Sequence, residues 1–89
     1  MTTLFVRHEV SDYATWRKTY DAFAPVQKAN GVIADAVYRA ADNPNDVTVT
    51  HEFATLEAAQ AFGQLEELRT AMRTGGVLGA PKVWLTDKA

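Results

Sequence analysis

Cysteine is absent from the 89-residue chain. That excludes disulfides, thiolate nucleophiles and cysteine-based metal sites. Only two histidines are present, His8 and His51, too few for a dedicated zinc site without help from carboxylates. No apolar run approaches the roughly 20 residues of a membrane span. A dominant charge sign is also missing. The formal net charge of -2 offers no electrostatic footprint for nucleic acid or an anionic membrane. The opening residues, Met1 to Arg7, have neither a basic start nor an apolar signal core, so the cytoplasm is the expected location. Neither a metal nor a cofactor is expected. A chain of this length has room for one domain, read here as residues 1–89. Its own core gives modest stability, and domains of this size often draw on disulfides, a metal or a partner subunit. With the first two set aside, oligomerisation is the expected source of further burial.

What is present reads as alternating strands and helices. In residues 3–10, Leu4, Val6, His8 and Val10 alternate with Thr3, Phe5, Arg7 and Glu9, the period of two of a strand. Ser11 or Asp12 can cap the next element. Over residues 13–30 the period changes: Tyr13, Trp16, Tyr20, Phe23 and Gln27 fall at helical spacing, an amphipathic helix with an aromatic stripe. Pro25 kinks or interrupts its last part, and Asn30-Gly31 stops it. Residues 32–41 read as a second strand, 42–46 as a turn and 47–54 as a third strand, the last two strands forming a hairpin. Thr55 caps a second helical region over 55–74, which Gly63 can split in two. Residues 77–81 read as a loop and 82–86 as a short final strand.

Two β-α-β halves joined by a hairpin make an α+β domain of the ferredoxin-like order β-α-β-β-α-β. Right-handed crossovers are expected to set the first and third strands side by side and parallel at the sheet centre, with the helices on one face. The covered face takes Leu4, Val6, His8, Val47, Val49, His51 and Phe53. The bare face takes Phe5, Arg7, Thr48, Thr50 and Glu52, with Arg7 and Glu52 expected to pair. That mix suits a face covered by a second copy, so a homodimer through the open sheet face is expected.

His8 and His51 carry the chemical interest. Each falls near the C-terminal end of a central strand on the covered face, so they are expected to meet at one end of a cavity between sheet and helices. Histidine suits proton transfer near neutral pH. The plainer alternative is a pair of histidines satisfied by local hydrogen bonds. Tyr13, Trp16 and Tyr20, with Tyr38 and Trp84 on strands, are candidates to line a pocket for a small aromatic ligand. Plain core packing is the alternative, and for Trp84 the preferred one.

Three stretches resemble the dimeric α+β barrel superfamily, and within it the antibiotic biosynthesis monooxygenase-like domains. They are the run from Val49 through His51-Glu52-Phe53 to Ala58, the helix segment Glu67-Leu68-Arg69, and the lead-in Leu78-Gly79-Ala80-Pro81-Lys82. The resemblance implies an antiparallel four-stranded sheet with helices on one face, doubled into a dimeric barrel. It implies a cofactor-free enzyme acting on an aromatic or polyketide-like substrate, monooxygenase-like, with His51 or His8 as base. Arg69 would be the anion partner and Tyr20 and Trp16 would shape the pocket. Tyr13, Tyr38 and Phe53 are further candidates for substrate contact. Phe53 stands where many oxygenase and haem-degrading relatives have Trp, a departure from the pattern of both. The haem-degrading relatives also want Asn and a helix His, which residues 55–74 lack. A polyketide cyclase or isomerase acting by proton transfer is the nearest rival, and a non-catalytic small-molecule-binding protein the rival of another class. For Arg69 the plainer alternative is a solvated charge paired with Glu66.

Overall fold

The alternation in β1 (Thr2–Val10) decides where the rest of the chain packs. In the computed structural model, which describes residues 1–89, Thr2, Leu4, Val6, His8 and Val10 are all buried, while the residues between them are partly or fully exposed. After β1 come α1 (Tyr13–Ala22), α2 (Ala24–Ala29), β2 (Ala34–Ala40), β3 (Asn43–Phe53), α3 (Leu56–Gly63), α4 (Glu66–Thr74) and β4 (Val77–Asp87). The sheet order is β2-β3-β1-β4. Every neighbouring pair is antiparallel, including β1 and β3. The parallel arrangement expected from the crossovers is therefore wrong, and the antiparallel sheet implied by the family resemblance is right. Each half of the chain runs strand, helical layer, strand. The hairpin between the halves then reverses direction once more, so β1 and β3 run oppositely.

Each helical layer is broken in two. Asp12 caps α1, its carboxylate accepting from the backbone N–H of Thr15 at 3.0 Å. Pro25 lies at the start of α2, where its missing N–H would have no intrahelical partner. It thus begins a new helix instead of kinking the first. Thr55 caps α3 by accepting from the N–H of Ala58 at 3.2 Å. The chain then breaks at Gln64-Leu65, and α4 starts with Glu66 and Glu67 and ends with Arg73, charges that suit the helix dipole.

Strand ends differ from the sequence expectation at two places, both irregular. β3 begins at Asn43, so most of the expected turn is strand; its register with β2 shifts between Arg39 and Ala40. β4 begins at Val77, so the expected loop 77–81 is strand too. Its register with β1 shifts between Arg7 and Glu9. Gly79, Ala80 and Pro81 thus bulge out opposite His8. Gly79 has φ 69, a conformation glycine adopts without a Cβ clash. A turn-rich composition hides a strand when the turn residues are absorbed in a bulge.

The face assignment holds. Leu4, Val6, Phe53, Ala59, Phe62 and Leu68 form one apolar cluster, and Val10, Trp16, Val47 and Val49 a second. The open face carries Phe5 and Trp84, stacked at 5.2 Å between centroids with their planes 4° apart. Trp84 is 42% exposed there, so its expected place in the core is wrong; the pairing Phe5↔Trp84 fixes it on the open side. The expected Arg7–Glu52 pair is also wrong. Arg7 lies opposite Thr48 while Glu52 lies opposite Thr3, four positions along the strand. Arg7 instead grips Asp46 through two bonds, of 3.0 and 2.6 Å.

Replacing Phe62, which packs in tilted contact against Phe53, Phe23 and His51, with Ala is expected to cost about 3–5 kcal/mol in urea denaturation. Arg69→Ala removes only an exposed ion pair and should change stability by less than about 0.5 kcal/mol.

Candidate functional site: a histidine-flanked cavity

The two apolar clusters meet at a seam, and the seam is not filled. A cavity of ≈ 40 Å³ lies between the sheet (Val6, His8, Val49, His51), α1 with Phe23 and Gln27 behind it, and Leu68, Ala71 and Met72 of α4. On this measure roughly 10–15 Å³ is enough for one water molecule, so the resting cavity has room for a few waters.

His8 and His51 both line it, but not from one end of the sheet. His8 lies opposite Val47 and His51 opposite Leu4, so antiparallel pairing sets them four positions apart, roughly 13 Å along the strands. This corrects the expectation that they meet side by side. They flank the cavity, joined by a run of aromatic contacts. His8 meets the Trp16 edge at 5.8 Å, Trp16 stacks on Tyr20 at 5.0 Å, and Tyr20 faces His51 at 6.4 Å. The spacing of Trp16 and Tyr20, one helical turn apart on α1, is what lets one stripe span both histidines.

The electrostatics of the two rings are set by burial. His8 is 6% exposed and His51 3%. Desolvation lowers the pKa of His8, with Asp46 opposing weakly. It lowers that of His51 to about 4, against the opposing charge of Asp35. Both imidazoles are neutral at pH 7. Neither nitrogen of His8 and not Nδ1 of His51 has a hydrogen-bond partner. The other nitrogen of His51, Nε2, lies 3.3 Å from the Gln27 amide nitrogen. Unpartnered polar atoms this deep are uncommon and costly. The Tyr20 hydroxyl donates to the Asp35 carboxylate, and burial first, then that bond, raise the Tyr20 pKa, so it stays protonated.

Of the eight residues singled out from the sequence, His8, His51, Trp16 and Tyr20 converge on the cavity. The other four do not. Arg69 is exposed on α4, 3.7 Å from Glu66, and does not line the cavity. Tyr38 is 59% exposed on the open sheet face, opposite Thr48. Tyr13 packs beside Trp16 under the Arg39 guanidinium, which sits 3.9 Å above its ring. Phe53 is fully buried behind Phe62. Gln27, Thr19 and Met72 were not singled out as site residues. Gln27 did carry a signal, being a polar residue on the aromatic stripe, whereas Thr19 and Met72 carried none. No cluster of three or more His, Asp or Glu side chains is placed to hold a metal ion.

An α+β domain with a split β-α-β order and a small histidine-flanked cavity under its helices defines a class broadly, and comparison narrows it. Residues 3–74 match the model of the antibiotic biosynthesis monooxygenase family, and the chain belongs to that family. Solved structures agree on the fold. The chain is similar to SnoaB, a cofactor-independent oxygenase from Streptomyces nogalater, at 12% identity, covering 99% of this chain and 92% of that one with a TM-score of 0.80. It is similar to a candidate antibiotic biosynthesis monooxygenase from Bordetella bronchiseptica, at 16% identity, 99% and 96% coverage and a TM-score of 0.83. It is also similar to NE2512, a protein of unknown function from Nitrosomonas europaea, at 22% identity, 96% and 85% coverage and a TM-score of 0.74. No curated protein matches the chain. No helix is long and apolar enough to cross a membrane.

The depressed histidine pKa values link stability to pH. An imidazole whose folded pKa lies below its unfolded value near 6.5 leaves the unfolded state holding more protons between the two. Stability is then fully present above about pH 6.5 and falls as pH drops toward about 4, by about 3 kcal/mol for His51. Denaturant melts at pH 7, 5.5 and 4.5 should show that loss in the wild type and a smaller one in His51→Gln.

Proposed function

We propose that the protein is a cofactor-independent monooxygenase acting on an aromatic, polyketide-like substrate. The observation that carries this reading is the pair of neutral, buried and incompletely hydrogen-bonded histidines on an otherwise apolar cavity. A neutral imidazole can take a proton from a phenol or an enolisable ring ketone. The resulting anion is electron-rich enough to reduce dioxygen. With an anthrone, the ring methylene loses both hydrogens, one oxygen atom becomes the new carbonyl, and the other leaves as water. The substrate supplies all the electrons. The protein's part is to accept a proton, steady a developing oxyanion and exclude water.

The size of the resting cavity sets a condition. It has room for a few small molecules, and the flexible Met72 on α4 is the lining side chain best suited to move aside for a larger ring system. Arg69 is not close enough to serve as anion partner in this state.

The open sheet face supports a homodimer. Stacked Phe5 and Trp84 on β1 and β4, and Tyr38 on β2 beyond the threonines of β3, leave aromatic side chains on this face for a second copy to cover. Light scattering at micromolar concentration should give twice the monomer mass for the wild type, and the monomer mass for Trp84→Glu. A monomeric wild type contradicts this assembly.

Activity is tested by oxygen uptake and product mass with anthrone and hydroquinone substrates. The expected result is uptake with one oxygen atom in the product, reduced at least 100-fold in either His8→Ala or His51→Ala. Turnover to an isomer or dehydrated ring without oxygen use would point to proton transfer alone. Silence on all substrates, with ligand affinity unchanged in both variants, would leave a binding role.

A further inference from the structure

The two histidines are not equivalent, and Gln27 on α2 makes them different. Its amide nitrogen lies 3.3 Å from His51 Nε2. An amide nitrogen only donates, so His51 Nε2 accepts. A ring nitrogen that accepts carries no proton, so the His51 proton lies on Nδ1, a buried atom without a hydrogen-bond partner.

We propose that Gln27 is a positioning residue which fixes His51 as its Nδ1–H tautomer, making His51 the hydrogen-bond donor of the cavity and His8 its proton acceptor. The only acceptor nitrogen of His51 is occupied by Gln27. A neutral His8 keeps one bare acceptor whichever of its nitrogens is protonated, since neither has a partner. The substrate's acidic proton therefore goes to His8. The His51 N–H supports the oxygen atom on which negative charge gathers. This division rests on the monooxygenase reading for its chemistry, but the tautomer itself does not.

Long-range proton–nitrogen correlation spectra of the folded protein at pH 7 read the tautomer directly, with no substrate. The expected result is His51 with a protonated Nδ1 and an unprotonated Nε2. A protonated Nε2 in the wild type overturns the proposal. In Gln27→Glu a carboxylate replaces the donor, and the His51 proton should move to Nε2; an unmoved proton shows that Gln27 does not set it. Should that variant fail to fold, Gln27→Met removes the amide at similar size, and the single His51 tautomer should become a mixture; an unchanged tautomer overturns the role of Gln27. Absent oxygen uptake in a protein with the Nδ1–H form contradicts the oxygenase reading and leaves the tautomer assignment standing. Uptake with the Nε2–H form contradicts the tautomer assignment alone.

Discussion

The antiparallel register of β1 against β3 is the constraint on which the rest depends. With Leu4 opposite His51, Val6 opposite Val49 and His8 opposite Val47, one face of the two central strands becomes a nearly continuous apolar floor with a histidine toward each end. A slip of one residue would turn both histidines and the whole floor to the other side. The floor in turn fixes what the helices must bring. α1 lays Trp16 and Tyr20 over it, and α3 and α4 supply Phe62 and Leu68. Between these two groups the side chains do not close the seam, and the cavity is what is left.

A gap with buried polar atoms on its walls is a cost to stability that a plain core would avoid. Replacing both rings by apolar residues would remove the desolvation of two imidazoles and three unpartnered nitrogens. The neighbourhood does not offset that cost with local hydrogen bonds, which was the plainer alternative for these histidines. Only His51 Nε2 is satisfied, by the Gln27 amide. These partly satisfied polar groups are the ones that the proposed substrate would hydrogen-bond.

Much of the fold could be read from the sequence because local signals agreed with the tertiary outcome. The period of two in β1 and β3, the caps at Asp12 and Thr55, and the aromatic stripe of α1 each specify a face, and each face is used as expected. Strand direction could not be read that way, since side-chain alternation is the same for parallel and antiparallel neighbours. The same blindness misplaced the histidines relative to one another while placing both on the correct face. Trp84 and Tyr38 were misread for a related reason. A tyrosine or tryptophan on an edge strand looks like core until the register shows which side it faces. Gln27 was visible as a polar break in an apolar stripe, but its meaning depends on a contact with His51 that no spacing rule supplies.

Both histidines stand neutral and buried on one cavity near neutral pH. Nuclear magnetic resonance titration of the imidazole ring protons from pH 7.5 to 3 measures this. The His51 resonances should move with a midpoint at about pH 4, and those of His8 with a midpoint below the ordinary value of 6.5. A midpoint at or above 6.5 for either ring would mean that solvent or a carboxylate reaches it in the folded protein, and would contradict the buried, neutral pair.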